Sequence, residues 1–460
     1  MTPQQIEIEP TPALHDFPTL SASTRSGTSP PKFVPHRKGA VTPVTEVPRT
    51  VRVALAGCGV VGGGLVRLLH ESAPAVAARF GVRFALTRVL VRDTGRERNL
   101  PIDPRLFTND LDAFLSHDAD VVIEAVGGEE PARTIARAAL TRGSKLITAN
   151  KDLVASYGDS LSALAHEHHS SLDFGAAVGG SAPVISTLRD LVGASTPESV
   201  RGILNGTSNY VITLIERGVS LDSALASARE RGLAESDCAR DLDGRDAAAK
   251  LAIIAWIAFG IRPADLHVRR TSLVPGLERL VRTASINGAR VRFIAECRRL
   301  SGNRVTAAVE PVIIPAESAF ARTILEENRV DVDLGWSSPL SVSGPGAGGT
   351  PTAAALLSDL LRVTPAPNDR GAGATQFLSV ADPREHRWLV ATHLDSDALQ
   401  RTAAAVGLGS ERYPADAPGA AIITAPASWE SVQRLIGALD SVNERPLVAR
   451  YDCTEVEVSQ

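Results

Sequence analysis

Two lysines are candidates for proton chemistry, because this chain otherwise carries its positive charge on arginine. Only five of its 48 basic residues (Lys plus Arg) are lysines. Lys151 follows the segment TAN (148–150), and Lys250 lies four residues after Asp246. Lysine can lose its proton near neutrality and its compact ammonium can protonate a carbonyl oxygen, whereas arginine effectively stays charged. These positions therefore predict lysine chemistry, although chance survival of two lysines on solvated faces explains their scarcity equally well.

Carboxylates are concentrated just ahead of Lys250. Four acids lie between Glu235 and Asp243, and the chain then passes Asp246 and enters the apolar stretch LAIIAWIAF. Asp246 and Lys250 have i,i+4 spacing, so they share a helix face. An exposed pair of this kind contributes only ~0.3–0.5 kcal/mol, but the Ala-rich helix is predicted to pack inside the protein. Acidic groups beside a cleft would suit the ammonium of an amino-acid substrate.

A glycine-rich turn between a strand and a helix predicts a dinucleotide site. Residues 51–56, VRVALA, are typical of a buried strand, and GCGVVG (57–62) and a stretch with helical spacing follow. In this context the glycines allow a tight turn and bring the pyrophosphate close to the helix N-terminus. A plain glycine-rich turn is the alternative. The candidate cofactor-binding residues here are Gly57, Gly59, Val60, Val61 and Gly62.

The end of the next strand bears on the choice of cofactor. That strand, predicted at 84–91, ends at Arg92 and Asp93, with more arginines nearby. A guanidinium suits the 2′-phosphate of NADP(H), whereas an acid would bind the ribose 2′-hydroxyl of NAD(H). Arg92 favours NADP(H), Asp93 keeps NAD(H) open, and a solvated basic loop is a third explanation.

Two further strands bring polar residues toward the same crevice. DVVIEAV (120–126) is followed by Gly127, while KLITAN (145–150) contains Thr148 and ends at Lys151. Because ligands bind beyond the carboxyl ends of parallel strands, these three residues are expected at one site. Two glycine-rich segments, 178–185 and 202–210, either bring peptide groups to a ligand or ion or form simple turns.

The composition excludes several classes of protein. The chain has 460 residues, is 44% hydrophobic and has a net charge of −4, so it can form cores and has no charge bias toward nucleic acid. No apolar run approaches the ~20 residues of a membrane span. The start, MTPQQIEIEP, lacks an apolar signal core, and the four cysteines show no CxxC spacing. We therefore expect a cytoplasmic protein without nucleic-acid or membrane partners.

Six motifs, taken together and in this order, resemble those of homoserine dehydrogenases. They span about residues 51–362 and read GCGVVG, TANK (148–151), VGGSAPVI (178–185), GILNGTSNY (202–210), AE…D…DAAAK (234–250) and GPGAGGTPTAAALLSDL (344–360). No aspartokinase portion is present, which predicts the monofunctional form. The resemblance implies reduction of L-aspartate 4-semialdehyde to L-homoserine with NAD(P)H, on the route from aspartate to threonine and methionine.

The resemblance also implies roles for individual residues. Lys250 would donate a proton to the aldehyde oxygen, and Lys151 would assist beside the nicotinamide. Gly344 and Gly346 would return to the cofactor side. The implied substrate-binding residues are Gly232, Glu235, Asp241, Asp246, Asn205 and Thr207. A structural sodium ion is implied, held mostly by the backbone carbonyls of Val178, Gly180 and Ala182.

Two positions depart from the family pattern. Gly175 stands where the family usually has glutamate, which weakens the prediction of a metal site. Asp237-Cys238-Ala239 replaces the usual Asp-Pro-Thr. These departures leave open a paralogous dehydrogenase that reduces another amino-acid aldehyde. A non-catalytic dinucleotide sensor is a further alternative, but it predicts loss of Lys151 or Lys250.

The predicted architecture is α/β with several domains. Residues 1–50 are predicted to be a disordered tail. Residues 51–173 would form a Rossmann-type dinucleotide-binding domain, completed by 343–372, and 174–342 an α/β catalytic and dimerisation domain. Residues 386–460 resemble an ACT-like βαββαβ domain, but they lack its usual Asp-x-Pro-Gly loop, so a structural or dimerising role competes with threonine feedback. The expected assembly is a homodimer or homotetramer.

Overall fold

The computed structural model of the chain describes residues 48–233, 239–301, 304–335, 338–346, 348–364, 385–414, 419–441 and 446–451. Nearly all of the predicted N-terminal tail lies outside these residues, as does Glu235. None of the helices among the described residues is long and apolar enough to cross a membrane.

The first sheet has the strand order of a Rossmann fold. Its strands are β1 (Arg49–Ala56), β2 (Val82–Leu90), β3 (Phe107–Thr108), β4 (Val121–Glu124), β5 (Lys145–Thr148) and β6 (Leu172–Asp173). They are parallel and follow the order β3-β2-β1-β4-β5-β6. The order reverses between β1 and β4, which is where such sheets bind ligands. The prediction of a Rossmann-type sheet is therefore confirmed.

Helices cover both faces of this sheet. They are α1 (Val60–Phe80), α2 (Leu111–Leu115), α3 (Ala132–Thr141) and α4 (Lys151–Glu167). Apolar side chains from alternate strand positions form two cores, with Val53 and Leu55 on one face and Ala54 and Ala56 on the other. This two-sided burial explains why the strands are apolar at nearly every position.

The second sheet is mostly antiparallel. Its strands are β7 (Ser199–Ile203), β8 (Arg269–Arg270), β9 (Ala289–Leu300), β10 (Arg304–Pro315), β11 (Glu327–Asp333) and β12 (Leu340–Pro345), in the order β12-β11-β7-β9-β10-β8. The helices in this part of the chain are α5 (Val184–Val192), α6 (Gly206–Glu216), α7 (Leu221–Glu230), α8 (Ala239–Leu242), α9 (Arg245–Phe259), α10 (Leu277–Ile286), α11 (Ala319–Arg322) and α12 (Gly349–Val363).

Helix α9 lies inside the protein, as its composition predicts. It begins after Gly244 and ends at Gly260, both in the left-handed region that favours glycine. Ile253 and Ile254 are fully buried against the second sheet. Because α9 is apolar nearly all round, the charged pair near its start is drawn into the interior.

Helix α12 returns to the first sheet. It packs on α1 at small residues: a Cβ added to Gly64 would lie 3.1 Å from that of Ala353. Leu356 and Leu360 of α12 join the core beneath α1. A Cβ at Gly349 would lie 2.5 Å from Cγ1 of Val60, so the start of α12 lies against the start of α1. The limits of the predicted domains remain predictions.

The C-terminal part forms a third sheet with the order β14-β15-β13-β16. Its elements are β13 (Arg387–Thr392), α13 (Ser396–Ala405), β14 (Ser410–Tyr413), β15 (Ala420–Thr424), α14 (Trp429–Asp440) and β16 (Leu447–Tyr451). They follow the predicted order βαββαβ, with the helices packed through Leu399 and Leu435. The assignment of this sheet to the ACT type remains a prediction.

Candidate active site

Lys151 and Lys250 meet at one carboxylate. Lys151 is the first residue of α4 and Lys250 lies in α9, four residues after Asp246. The Nζ atom of Lys151 is 3.1 Å from Oδ1 of Asp246, and that of Lys250 is 2.9 Å from Oδ2. Asp246 is only 7% exposed and the Lys250 side chain 12%, so this pair is buried rather than solvated, while Lys151 reaches it from a half-buried position and completes a triad. The surface-pair explanation for Asp246 and Lys250 is therefore wrong.

Asn205 organises the acidic side of the site. It is the N-cap of α6, where its Oδ1 accepts the N–H of Ser208. Its Nδ2 donates to Oδ1 of Asp241 at 2.7 Å and to Oδ2 of Asp246 at 2.8 Å. The side chain is thus fully engaged within the protein. It holds two carboxylates at fixed positions beside the start of α6.

The electrostatics follow from burial and from the two lysines. Burial by itself would raise the pKa of Asp246, but the charges of Lys250 and Lys151 outweigh it and hold the pKa well below its usual range. Burial opposes the charged form of Lys151, but Asp246 and Asp152 outweigh it and raise the pKa of the lysine. Burial raises the pKa of Asp241, and the nearby charge of Asp246 acts in the same direction.

A second ion pair runs beside the triad. Arg240 of α8 donates to Oδ1 of Asp152 at 3.0 Å. Asp152 directly follows Lys151 on α4. These two neighbours therefore both form ion pairs with the segment that contains α8 and α9. These contacts join the first sheet's helices to the segment that carries Asp241 and Asp246.

The glycine-rich turn forms an open cradle at the end of β1. A Cβ at Gly57 would lie 2.4 Å from the carbonyl oxygen of Ala125, and one at Gly62 would lie 2.0 Å from that of Gly57. Only glycine fits these two positions. Gly59 meets nothing within 4 Å, and Val60 beside it is 78% exposed. The turn thus leaves backbone N–H groups accessible at a helix N-terminus, which fits a pyrophosphate.

The ends of β4 and β5 are tied together by Glu124, which belongs to none of the sequence motifs. Glu124 is fully buried, and its Oε1 accepts the N–H groups of Val126 (2.8 Å) and Gly127 (3.2 Å). Its Oε2 accepts the hydroxyl of Thr148, which in turn accepts the N–H of Asn150 at 3.0 Å. Burial raises the pKa of Glu124, and these hydrogen bonds oppose the shift. An acid inside an apolar strand was the available sequence signal.

The arginine-rich loop after β2 is exposed around Arg92. Arg98 instead folds back, donating to the carbonyls of Asp93 and Arg96, both at 2.9 Å. The Asp93 carboxylate accepts the N–H of Gly95 at 2.8 Å, so it closes a local turn. Arg92 and the Gly57–Gly62 turn follow the neighbouring strands β2 and β1.

Pro345 and Gly346 lie between two loops. The carbonyl of Pro345 accepts the N–H of Ser181, and the N–H of Gly346 donates to the carbonyl of Glu326. A Cβ at Gly346 would lie 2.1 Å from Oδ1 of Asn328, so only glycine fits there. Gly344 lies against Ser181 and Ala182.

Two of the three predicted sodium ligands border a small cavity. Gly180 and Ala182 line a space of about 100 Å³ together with Asp359, while Val178 is fully buried. A Cβ at Gly175 would lie 2.5 Å from a carboxylate oxygen of Asp359, which explains why a side chain is absent there. A carboxylate is thus present beside these carbonyls despite the missing glutamate. Carbonyl and carboxylate oxygens are the kinds of donor that a hard cation prefers.

Other predicted residues lie at the edge of the site. Thr207 donates to the carbonyl of Leu233 at 2.7 Å, which joins α6 to the segment containing Gly232. Gly232 has the left-handed backbone that glycine permits. Asp243 pairs with Arg245 at 2.6 Å instead of joining the triad. Lys145 donates to the carbonyl of Val363 at the end of α12, so it is structural.

Comparison with known proteins places these features in one family. Family models described as homoserine dehydrogenase and as the homoserine dehydrogenase NAD binding domain match residues 183–361 and 57–174. Homoserine dehydrogenase of Mycobacterium leprae (strain TN) is 37% identical over 319 residues, covering 68% of this chain and 72% of its own.

Solved structures agree with this relationship. A homoserine dehydrogenase from Thiobacillus denitrificans is 28% identical and superimposes with a TM-score of 0.64, covering 87% of this chain and 98% of its own. A hyperthermophilic archaeal homoserine dehydrogenase in complex with NADPH shares the fold at 21% identity and a TM-score of 0.58, covering 68% of this chain and 97% of its own. The chain belongs to the homoserine dehydrogenase family, the NAD(P)-dependent oxidoreductases that reduce L-aspartate 4-semialdehyde to L-homoserine.

Proposed function

We propose that this chain reduces L-aspartate 4-semialdehyde with a preference for NADPH, and that Lys250 is the proton donor. The observation that carries the proposal is the contact of Lys151 and Lys250 with the two oxygens of the buried Asp246 carboxylate. A bound NADPH would supply the hydride that the aldehyde carbon accepts. Negative charge then develops on the carbonyl oxygen, where a positioned cation lowers the barrier.

Lys250 has the geometry of a donor. Its Nζ donates to the carbonyl of Leu204 at 2.9 Å and contacts Asp246. Among the described residues, these acceptors take two of the three N–H donors of an ammonium. The third is assigned to the substrate oxygen, which it protonates to give the alcohol. Asp246 remains ionised through the transfer, because Lys151 stays beside it.

The substrate's amino group is assigned to the acidic side of the site. Asn205 occupies one oxygen of Asp241, which leaves the other for an ammonium group. Asp246 is already shared by two lysines, so its role is to hold them rather than to bind the amino group directly. Glu235 is proposed as the second carboxylate, from its place in the AE…D…DAAAK motif. Thr207 and Gly232 shape the edge of the pocket.

Support for NADPH comes from the loop after β2. Arg92 is exposed beside the strand that carries the glycine-rich turn, and a guanidinium pairs well with a phosphate. One oxygen of the Asp93 carboxylate is already engaged by the N–H of Gly95 within the loop. The archaeal relative bound to NADPH is consistent with this choice.

A sodium ion is proposed at the cavity beside Asp359, with the carbonyls of Val178, Gly180 and Ala182 as donors. It would tie the 178–182 loop to α12 and take no part in the chemistry.

A homodimer or homotetramer is also proposed. For the C-terminal sheet we propose a structural role, because the chain lacks the Pro-Gly loop and Asp395 instead caps α13 through the N–H of Ala398.

The direct test is NADPH oxidation with L-aspartate 4-semialdehyde set against other amino-acid aldehydes of similar length. We expect kcat/KM to be highest for aspartate semialdehyde and to fall when NADH replaces NADPH. A higher kcat/KM for a different aldehyde would favour a paralogous dehydrogenase. Absence of turnover with every aldehyde, despite cofactor binding, would favour a dinucleotide sensor.

A further inference from the structure

Glu124 is an acid with no exposed surface at the carboxyl end of β4. Burying a carboxylate is costly unless donors surround it. Here two peptide N–H groups, of Val126 and Gly127, and the Thr148 hydroxyl converge on it. Among the described residues, neither lysine nor arginine pairs with it. Oriented N–H and O–H donors therefore hold the Glu124 carboxylate, and its position depends strongly on where those donors lie.

The bonds from Glu124 reach the start of α4. The Thr148 hydroxyl donates to Glu124 and accepts the N–H of Asn150. The Asn150 side chain donates to the carbonyl of Gly128 at 2.6 Å and caps α4 by accepting the N–H of Leu153 at 3.1 Å. Lys151 is the next residue in the chain. One carboxylate thus fixes both loops that follow β4 and β5, together with the backbone that carries Lys151.

This network lies at the floor of the crevice. Ala125, between Glu124 and Val126, approaches Gly57 so closely that a Cβ on the glycine would lie 2.4 Å from its carbonyl oxygen. The glycine-rich turn and the β4 loop are therefore in direct contact. Because Glu124 itself is completely buried, it cannot reach a substrate or exchange protons with one.

We propose that Glu124 is a positioning residue. It fixes the peptide groups of Val126 and Gly127 and the start of α4, and so aligns the nicotinamide half of the cofactor with Lys151. The proposal rests on the assignment of Gly127 and Lys151 to the site. It adds a role for a residue that touches neither substrate nor cofactor. It also predicts that the adenosine half of the cofactor binds independently of Glu124.

Glu124→Gln tests this, because it keeps the volume and removes the charge and one acceptor. We would titrate the variant with NADPH and with 2′-phospho-ADP-ribose, which lacks the nicotinamide, and measure the melting temperature and the aldehyde reductase rate. Loss of a charge-assisted bond should weaken NADPH binding and lower kcat by about tenfold each. Binding of 2′-phospho-ADP-ribose should be unchanged. Glu130→Gln, at an exposed position in the loop that follows β4 and bonded to Thr134, is the control for loss of a nearby carboxylate.

Equal weakening of both ligands would overturn the proposal, because it would indicate general distortion of the domain. Unchanged NADPH binding and kcat would overturn it as well. If Glu124→Gln does not fold, Thr148→Val, which removes the hydroxyl that joins Glu124 to the N–H of Asn150, must give the same split between the two ligands. Failure of the proposed activity and failure of this role are distinguishable. The activity is tested with the unaltered enzyme, whereas the role of Glu124 is tested by comparing the binding of NADPH and of 2′-phospho-ADP-ribose to the variant.

Discussion

At the residue scale, the site depends on how one carboxylate balances two cations. Asp246 receives Lys151 on one oxygen and Lys250 with Asn205 on the other. Removing one member of a buried charged group usually costs several kcal/mol, because it leaves an uncompensated charge behind. Lys151 also begins a helix, where a positive charge is unfavourable. Asp246 and Asp152 offset this cost, so the acids are as necessary as the lysines.

The sequence predicts part of this arrangement. The i,i+4 spacing correctly places Asp246 beside Lys250 on one helix face. It does not predict that Lys151, far away in the chain, reaches the other oxygen, because that contact depends on how α4 packs against α9. The role of Glu124 was not predicted for a different reason. A single acid in an apolar strand indicates no function until the N–H and O–H groups that donate to it are known.

Arg92 provides a prediction about cofactor choice. Arg92→Ala should raise the KM for NADPH about tenfold, as expected for loss of a charge-assisted contact, and should barely affect NADH. The measurement is steady-state kinetics with each cofactor at saturating aldehyde. Arg304→Ala, on β10 of the second sheet, is a control for loss of an exposed charge. An equal effect of Arg92→Ala on both cofactors would exclude a contact with the 2′-phosphate.

At the scale of elements, asparagine N-caps position much of the site. Asn150 caps α4 just before Lys151, and Asn205 caps α6 while binding Asp241 and Asp246. The predicted strands agree in type with the observed ones, and their ends differ by a few residues: the run 120–126 forms a strand only over Val121–Glu124. The strand ends at Glu124 because the N–H groups of Val126 and Gly127 donate to the Glu124 carboxylate.

Asp359 on α12 predicts how stability depends on pH. Burial, together with the charge of Asp173, raises its pKa to about 7. The folded state therefore keeps a proton that the unfolded chain loses above about pH 4, so Asp359 costs increasing stability as pH rises toward 7. Asp359→Asn retains an acceptor for the N–H of Ala176 and removes this cost.

The variant should melt about 2–4 °C above the wild type at pH 8, with the difference shrinking toward pH 5, as measured by calorimetry without added sodium. Asp222→Asn, at an exposed position on α7, is the matched control and should show no such trend. A melting difference that is constant across this pH range would contradict a titrating Asp359.

At the scale of the whole molecule, three sheets are arranged along the chain, and the first two supply the site. The alternation of strands and helices was enough to predict the Rossmann-type sheet, because its order follows from short right-handed crossovers. Such rules do not predict the strand order of the mixed second sheet, because β7 pairs with β9 and β11 across long stretches of chain. The element order of the C-terminal part was predictable from its periodicity.

The C-terminal sheet yields a prediction about feedback. Threonine titrated into the full-length enzyme should leave the initial rate unchanged, because the segment after β13 caps α13 through Asp395 instead of forming a Pro-Gly loop. Initial rates at subsaturating aldehyde would detect inhibition most sensitively. Inhibition by threonine that disappears when the chain is ended near Ala381 would show that this sheet is regulatory.

The most direct test of the account is the kinetics of Lys250→Arg. Arginine keeps the positive charge but cannot readily give up a proton. The account predicts that kcat falls by about 10²–10⁴-fold, the usual contribution of general acid catalysis. NADPH binding and the melting temperature should stay near wild type. Lys145→Arg, at a lysine that bonds to the end of α12, should keep its kcat. If Lys250→Arg retained most of the wild-type kcat, positive charge alone would suffice and the proton-donor role would be contradicted.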